Sequence, residues 1–188
     1  MTAADAALEM VAIKMIIVLI LHFSLFSDLL AWAGDASPSC TPTRIIGPCF
    51  NGPSSQFIGL KLPVLNLSDA NMPLGSFSFC KFDSFTTKHS NLRQLEIVGL
   101  KAEFSRWNEV DLRGARIKEL HLTNFSFTNV DFSGAKIRES KFYSGDIRNS
   151  KFKGAYIADT IFKDSILPKN IKSDTILINV KFENCRFI

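Results

Sequence analysis

The sequence predicts a repeat protein built from five-residue units, and two periodic positions indicate it. Between residues 129 and 165, a bulky apolar residue recurs at every fifth position. A helix repeats every 3.6 residues and a strand every 2, so neither explains this period. The second position lies two residues before each bulky one and carries a small side chain. The bulky centres of this stretch are Phe132, Ile137, Phe142, Ile147, Phe152, Ile157 and Phe162.

The same frame extends without a break from Phe57 to Phe187 and contains 27 centres. Three of these centres are not bulky and apolar: Thr87, Ala102 and Lys172. In 19 of the 27 units the residue two before the centre is small. Two residues after the centre, most units carry Gly, Asn, Asp or Ser, which form turns. Large residues occupy several small positions between residues 55 and 109, so we expect distorted units there.

Two complete units show the motif most clearly, VDLRG at Val110–Gly114 and VDFSG at Val130–Gly134, and CRFI at Cys185–Ile188 also matches. The pattern resembles the pentapeptide repeat family and covers Ser55 to Ile188. The resemblance implies an all-β fold, a right-handed quadrilateral β-helix in which four units form one square coil. On that fold, 27 units make nearly seven coils that stack about 4.8 Å apart. The central and the small side chains would both point inward.

The residues that depart from the repeat pattern are better explained by packing in the core than by a functional site. Trp107 is the largest centre, and Thr87 and Ala102 are undersized centres near it, which indicates volume compensation. Cys80 and Cys185 occupy small inward positions, where a buried thiol acts as a small apolar group. We interpret all five residues as core.

The N-terminal segment differs from the repeats and predicts export. Met15–Phe26 is almost wholly apolar but shorter than the 20 or so residues that span a membrane. Ala31-Trp32-Ala33 then offers a signal cleavage site, which favours a periplasm or an equivalent lumen. Asp5 and Glu9 are atypical of a signal, and the alternative is an uncleaved membrane anchor. The predicted division is a signal or anchor at 1–33, an extension at 34–54 and the repeats at 55–188.

The extension carries Cys40 and Cys49 in a segment rich in Pro, Gly and Ser. In an exported protein these two cysteines would form a small disulfide. The alternative is a pair of free thiols in a loop.

The sequence contains no motif of a known catalytic or metal site, so we predict no enzyme, no cofactor and no metal. His22, His89 and His121 are scattered along the chain. The net charge is +4, and it becomes +6, from 21 basic and 15 acidic residues, if 1–33 are removed. This basic balance disfavours a nucleic-acid mimic and is too mild to indicate nucleic-acid binding.

Two surface features remain as candidate binding sites. Residues 20 apart would stack on one face, so Arg116, Lys118, Lys136 and Arg138 would form a basic square. The alternative is an ordinary solvated face, since surface charges are readily screened.

The second feature is a belt of isoleucines near the C-terminus. Each lies beside a centre, where a side chain should face outward, unless Lys172 and Pro168 mark a bulge that turns some inward. The chain ends in a repeat, so we expect its last coil to bind a partner or a second copy. The predicted contacts are Ile161, Ile166, Ile171, Ile176, Ile178 and Phe187.

Three functions follow from these features. The first is a non-catalytic, exported scaffold or accessory subunit that binds protein partners or a second copy. The second is a binder of anionic polymers or lipid head groups through the basic square. The third comes from the resemblance, because some members of the family mimic DNA and bind DNA gyrase, and the basic charge here disfavours it. An uncleaved N-terminal segment would add membrane association.

Overall fold

The computed structural model describes residues 53–188, which form a rod of stacked square coils. The strands pair in parallel and join residues 20 positions apart, as in Phe57↔Phe77 and Phe142↔Phe162. A coil therefore takes four five-residue units, and the largest regular face contains seven strands. The predicted quadrilateral β-helix of nearly seven coils is confirmed. The signal or anchor at 1–33 and the cysteine pair Cys40 and Cys49 lie outside the described residues.

The coils present four faces, numbered in the order in which the chain meets them. Face 1 consists of three- and four-residue strands: β1 (Gln56–Ile58), β3 (Ser76–Ser78), β5 (Glu96–Val98), β7 (Arg116–Lys118), β10 (Lys136–Arg138), β13 (Ala155–Ala158) and β16 (Thr175–Ile178).

Faces 2 and 3 belong to one continuous sheet of eleven strands. In the first three coils a single strand runs across both faces: β2 (Lys61–Asn66), β4 (Lys81–Lys88) and β6 (Lys101–Asn108). Later coils divide it, with β8 (His121–Thr123), β11 (Lys141–Tyr143), β14 (Ile161–Lys163) and β17 (Lys181–Glu183) on face 2. Face 3 then has β9 (Phe125–Asp131), β12 (Asp146–Lys151), β15 (Ile166–Leu167) and β18 (Arg186–Phe187). Face 4 is joined mainly by isolated bridges such as Asn91↔Asp111.

The interior is filled by the two periodic positions that define the frame. Nearly all central and small residues up to Leu167 are buried, and the buried apolar ones form one continuous cluster. Because equivalent residues stack directly, phenylalanine rings lie face to face along the axis. The ring centroids of Phe142 and Phe162 are 4.9 Å apart, and those of Phe132 and Phe152 are 5.0 Å apart. Burial of these rings is the main apolar contribution to stability.

Volume is balanced between neighbouring coils where the frame carries unusual residues. Trp107 stacks on Phe127 at 4.2 Å and contacts Phe85 edge-on at 5.2 Å. Thr87 is the small centre directly below Trp107 in the stack, and its hydroxyl bonds to Ser90 Oγ and the Leu67 carbonyl. These contacts place the undersized centre and the oversized one in a single packed core.

The corners explain the turn-forming residues at the end of each unit. Most residues two positions after a centre adopt the left-handed conformation, including Asp159, Asn184 and even Glu119. Three stacked residues at one corner, Val64, Ser84 and Phe104, do not have a positive φ, and the strands continue through them. The first half keeps its 20-residue register, and this uninterrupted corner is its main departure from the later coils.

Near the C-terminus a short helix, α1 (Ile171–Asp174), replaces one unit. Ile171 is fully buried and takes the inward place, while Lys172 at the nominal centre is exposed. The expectation that Ile171 faces outward is therefore wrong, and the alternative, a local distortion at Lys172 that turns it inward, is correct for this residue. A buried ammonium would be costly, and a one-residue shift avoids that cost. The Lys172 ammonium instead lies 4.2 Å from the ring centroid of Phe187 and 5.4 Å from that of Phe182.

The pairing of Phe125 with Gly145 allows a test of packing between coils. A Cβ at Gly145 would lie 2.1 Å from two ring carbons of Phe125, so Gly145→Ala should lower the free energy of unfolding by about 1–3 kcal/mol. Urea unfolding measures this loss. Phe125→Leu should recover part of it, because the smaller side chain makes room for the methyl group.

Gly134→Ala is the matched control. Gly134 has φ +67 and open space around it, so its substitution costs backbone strain of about 1–2 kcal/mol without a clash. Phe125→Leu should not relieve that strain. Strict additivity of Gly145→Ala and Phe125→Leu would contradict the proposed contact.

Candidate interaction surfaces

The four residues of the basic square lie together on face 1. Strands β7 and β10 pair in register, so Arg116 stacks on Lys136 and Lys118 stacks on Arg138. All four side chains are exposed, and centre residues separate them into two outward columns. Stacked positions are about 4.8 Å apart, so the like charges repel one another.

Two of the four cations already have partners. The Lys118 ammonium lies 3.5 Å from a carboxylate oxygen of Glu119 and 3.5 Å from one of Glu139. The Arg138 guanidinium lies 5.0 Å from the ring centroid of Tyr156 in the next coil. Arg116 and Lys136 have no carboxylate of the described residues within 4.0 Å. The free positive charge is therefore concentrated in the Arg116 column.

Face 1 becomes apolar toward the C-terminus. Strand β16 pairs with β13 so that Ile176 stacks on Tyr156 and Ile178 stacks on Ala158. Ile176 is 60% exposed and Ile178 is 49% exposed, although both side chains are large and apolar. The two isoleucines thus lie in the same two columns as the basic square, nearer the C-terminus.

The other members of the predicted isoleucine belt do not join this patch. Ile161 lies on face 2 and Ile166 on face 3, and both are only half-buried. Phe187 lies on face 3 of the last coil, where its ring contacts Phe182 edge-on and Lys172 lies over it. The belt is therefore spread over several faces, and Ile176 and Ile178 alone of the five isoleucines share one.

The two cysteine thiols within 53–188, and a groove that contains Asp146, show no catalytic arrangement. Burial raises the pKa of the Cys80 and Cys185 thiols, and both sulfurs donate to backbone carbonyls. The groove has a volume of about 450 Å³ and is lined by Phe125 and Gly145 among others, and its Asp146 carboxylate accepts from Arg148. No group of three His, Cys, Asp or Glu residues within 53–188 could hold a metal ion.

A basic column on face 2 was not among the sequence predictions. It consists of the residues before the centres of the first five coils, and consecutive members pair directly in the sheet. The sequence signal for this column is a basic residue at every twentieth position. It becomes visible only when the sequence is compared coil by coil, every 20 residues, and not unit by unit, every five. The members of the basic column are Lys61, Lys81, Lys101, His121 and Lys141.

His121 reports the positive potential of this column. Its pKa lies below the ordinary value, first because of partial burial and then because of Lys141 and Lys101 on either side. Glu119 acts in the opposite direction but does not reverse the shift. Burial first, and the neighbouring ammonium groups second, therefore disfavour the protonated form of the imidazole.

Sequence comparison identifies the repeats independently. Residues 105–143 match the family of pentapeptide repeats in 8 copies, and these residues form the middle coils of the rod. This chain contains pentapeptide repeats. The 20-residue register continues on both sides of the matched segment, so the same architecture extends through the described residues. No curated protein matches the sequence.

Solved pentapeptide repeat proteins share low similarity with this one. Rfr23 from the cyanobacterium Cyanothece 51142 is 10% identical, with 76% of this chain and 90% of that chain covered and a TM-score of 0.43. HetL from Nostoc sp. strain PCC 7120, which is involved in heterocyst differentiation regulation, is 12% identical, with 77% and 89% covered and a TM-score of 0.34. QnrB1, a plasmid-mediated fluoroquinolone resistance protein, is 9% identical, with 71% and 82% covered and a TM-score of 0.35.

Within residues 53–188, no helix has the length and apolar character needed to cross a membrane. The short helix α1 contains four residues and is part of the wall of the rod.

The shifted pKa of His121 gives a test of the potential along face 2. Lys141→Gln should raise that pKa toward its ordinary value, because a charge that disfavours the imidazolium is removed. NMR titration of the ring measures the change, and Lys136→Gln on face 1 is the control. An equal change in both variants would contradict the column as its source.

The same shift has a consequence for stability. The unfolded chain binds a proton at His121 at a higher pH than the folded chain does. Stability should therefore fall as the pH drops through the ordinary histidine range, and the fall should be smaller in Lys141→Gln.

Proposed function

We propose that this pentapeptide repeat protein is a non-catalytic interaction protein that binds a protein partner through face 1. The observation that carries the proposal is the arrangement of that face. The basic square lies in its middle coils, Tyr156 follows, and Ile176 and Ile178 end it. The hydrogen-bonded sheet fixes the backbone of these residues, so on binding only their side chains have to be ordered.

The composition of the face defines the partner by its chemistry. Exposed isoleucines beside a tyrosine and an arginine resemble the apolar centre of a protein interface, while the remaining cations resemble its polar rim. The complementary surface has an apolar patch next to a group of carboxylates. Burial of Ile176 and Ile178 would supply most of the affinity, and Arg116 and Lys136 would mainly direct association.

The apolar end of face 1 can be tested by paired substitutions. Ile176→Asp with Ile178→Asp should abolish binding of the partner in affinity purification from the native source, because two charges would be buried against an apolar surface. Val64→Asp with Leu74→Asp is the matched control, since these residues are 53% and 55% exposed at other corners of the rod.

Each outcome of that experiment is informative. Loss of a protein in the first variant and its retention in the control supports face 1. Loss in both variants, or in neither, excludes it. If the protein lost is a second copy of this chain, sedimentation of the purified protein will show the dimer, and the partner is then the chain itself.

Binding of an anionic polymer or lipid head groups through the basic square is a weaker candidate. Lys118 is held between two carboxylates and Arg138 lies against a tyrosine ring, which leaves two unpaired cations. The basic square could therefore bind a small anion, but it is not the broad positive surface that an anionic polymer or a lipid surface would need. Mimicry of DNA is not proposed, because the net charge of +4 has the opposite sign from that of a nucleic acid.

We also propose that the protein acts after export, in a periplasm or an equivalent lumen. The support is the apolar segment Met15–Phe26 followed by Ala31-Trp32-Ala33.

Mass spectrometry of the protein from its native source tests the export proposal. We expect a mature N-terminus at Gly34 and a disulfide between Cys40 and Cys49, seen as a mass change on reduction and alkylation. An intact N-terminus in a membrane fraction would indicate the anchor instead. An intact N-terminus in the cytoplasm would contradict export.

A further inference from the structure

We propose that face 2 carries a second binding site, which holds a single strand of an acidic polysaccharide along the axis of the rod. The site is the basic column, and its strongest part is the stack of Lys61, Lys81 and Lys101 in the first three coils. The proposal is independent of the partner site on face 1, because the two lie on different sheets.

The basic column stands out because five stacked positions in succession carry basic residues. Some other stacked charges have opposite partners, since His89 lies between Asp69 and Glu109 and Lys163 lies 3.9 Å from Glu183. The unpaired stack of Arg116 and Lys136 on face 1 contains only two residues. None of the four lysines of the column has a carboxylate of the described residues within 4.0 Å. All four are exposed, so their ammonium groups are accessible to an anion.

The stacking fixes the spacing of these charges. Consecutive members are direct partners in the sheet, so they repeat about every 4.8 Å, and the five positions span about 19 Å. Like charges directly opposite one another destabilise a sheet. An extended polymer with a regular series of anions would remove that repulsion along its whole length.

The surroundings restrict the ligand to one strand. On one side of the column the same strands carry Asp83 and Glu103, both exposed. On the other side, beside the upper members, lie Glu119 and Glu139. The positive potential is thus a narrow line, with acidic residues on one side of its lower members and on the other side of its upper members. A membrane surface or a DNA duplex would require a broad basic field.

Beside the lower members the border is apolar instead. The corner there consists of Gly59, Phe79 and Gly99, and the Phe79 ring is 66% exposed. Its ring lies over Gly99, where a Cβ would come within 2.9 Å of it. The Phe79 ring forms an apolar ledge next to Lys81, on which the face of a sugar ring can pack.

The type of cation favours an acidic sugar over a single-stranded nucleic acid. Nucleic-acid sites prefer arginine, which binds phosphate through two hydrogen bonds, and use several aromatic side chains to stack successive bases. The basic column has lysines and one histidine, and among the described residues the exposed phenylalanines at the corners of face 2 are Phe79 and Phe104, one on each side. Two rings on opposite sides do not form a series on which successive bases could stack. Lysines are point charges that suit one carboxylate or sulfate per sugar.

Calorimetric titration of the full chain with polygalacturonate tests this site, and neutral dextran serves as the uncharged comparison. Replacement of Lys61, Lys81 and Lys101 by Gln should weaken binding at least tenfold and make it less dependent on salt. Replacement of Lys88, Lys151 and Lys153 by Gln removes the same charge from faces 3 and 4 and should leave binding unchanged. Bound polymer should also raise the pKa of His121, which NMR follows.

Three results would overturn the proposal. Equal loss in the two triple variants would show that only total charge matters. Equal binding of dextran would exclude an electrostatic site. Tighter binding of an oligothymidylate or of vesicles containing anionic lipid would assign the column to a nucleic acid or a membrane. Circular dichroism of each variant establishes that the rod is intact.

Discussion

The 20-residue register of the parallel coils is the constraint on which the rest of the structure depends. Backbone hydrogen bonds join each coil to the next, so a residue on a strand is fixed directly over its counterpart one coil earlier. Inside the rod, this makes the volume of one side chain depend on its two stacked neighbours, as with Gly145 above Phe125. On the surface, the register places equivalent residues in a column along the rod. A column of residues with the same charge creates a local electrostatic potential.

The periodic frame makes the interior predictable. A bulky residue at every fifth position, with a small one two residues before it, identified the buried side chains and the number of coils. Thr87, Ala102 and Trp107 could be interpreted as core because packing depends on volume alone. A distortion at Lys172 was one of two alternatives from the sequence, but its form, the exchange of Ile171 for Lys172, was not predictable because it depends on how the backbone avoids burying an ammonium group. That choice needs α1, and a helix of four residues leaves little periodic signal.

The surfaces were less predictable than the core because they depend on ion pairs. The four residues of the basic square share a face, but the sequence does not show that Lys118 lies between Glu119 and Glu139. The isoleucine belt follows one coil around the rod, so its members point in different directions, and Ile176 and Ile178 share a face only because they flank one centre. The basic column was present in the sequence as a 20-residue period, and it emerges when the coil is taken as the unit.

The same register gives the length of the chain a geometric meaning. Addition or loss of 20 residues would leave every column aligned and only lengthen or shorten the rod. A change of five residues would instead turn everything that follows by a quarter of a revolution, so that the lysines of face 2 would continue on a neighbouring face. In this protein an insertion of five residues would therefore rotate the coils that follow it. The unit that contains α1 changes its internal structure but keeps its length, so the register after it is unchanged.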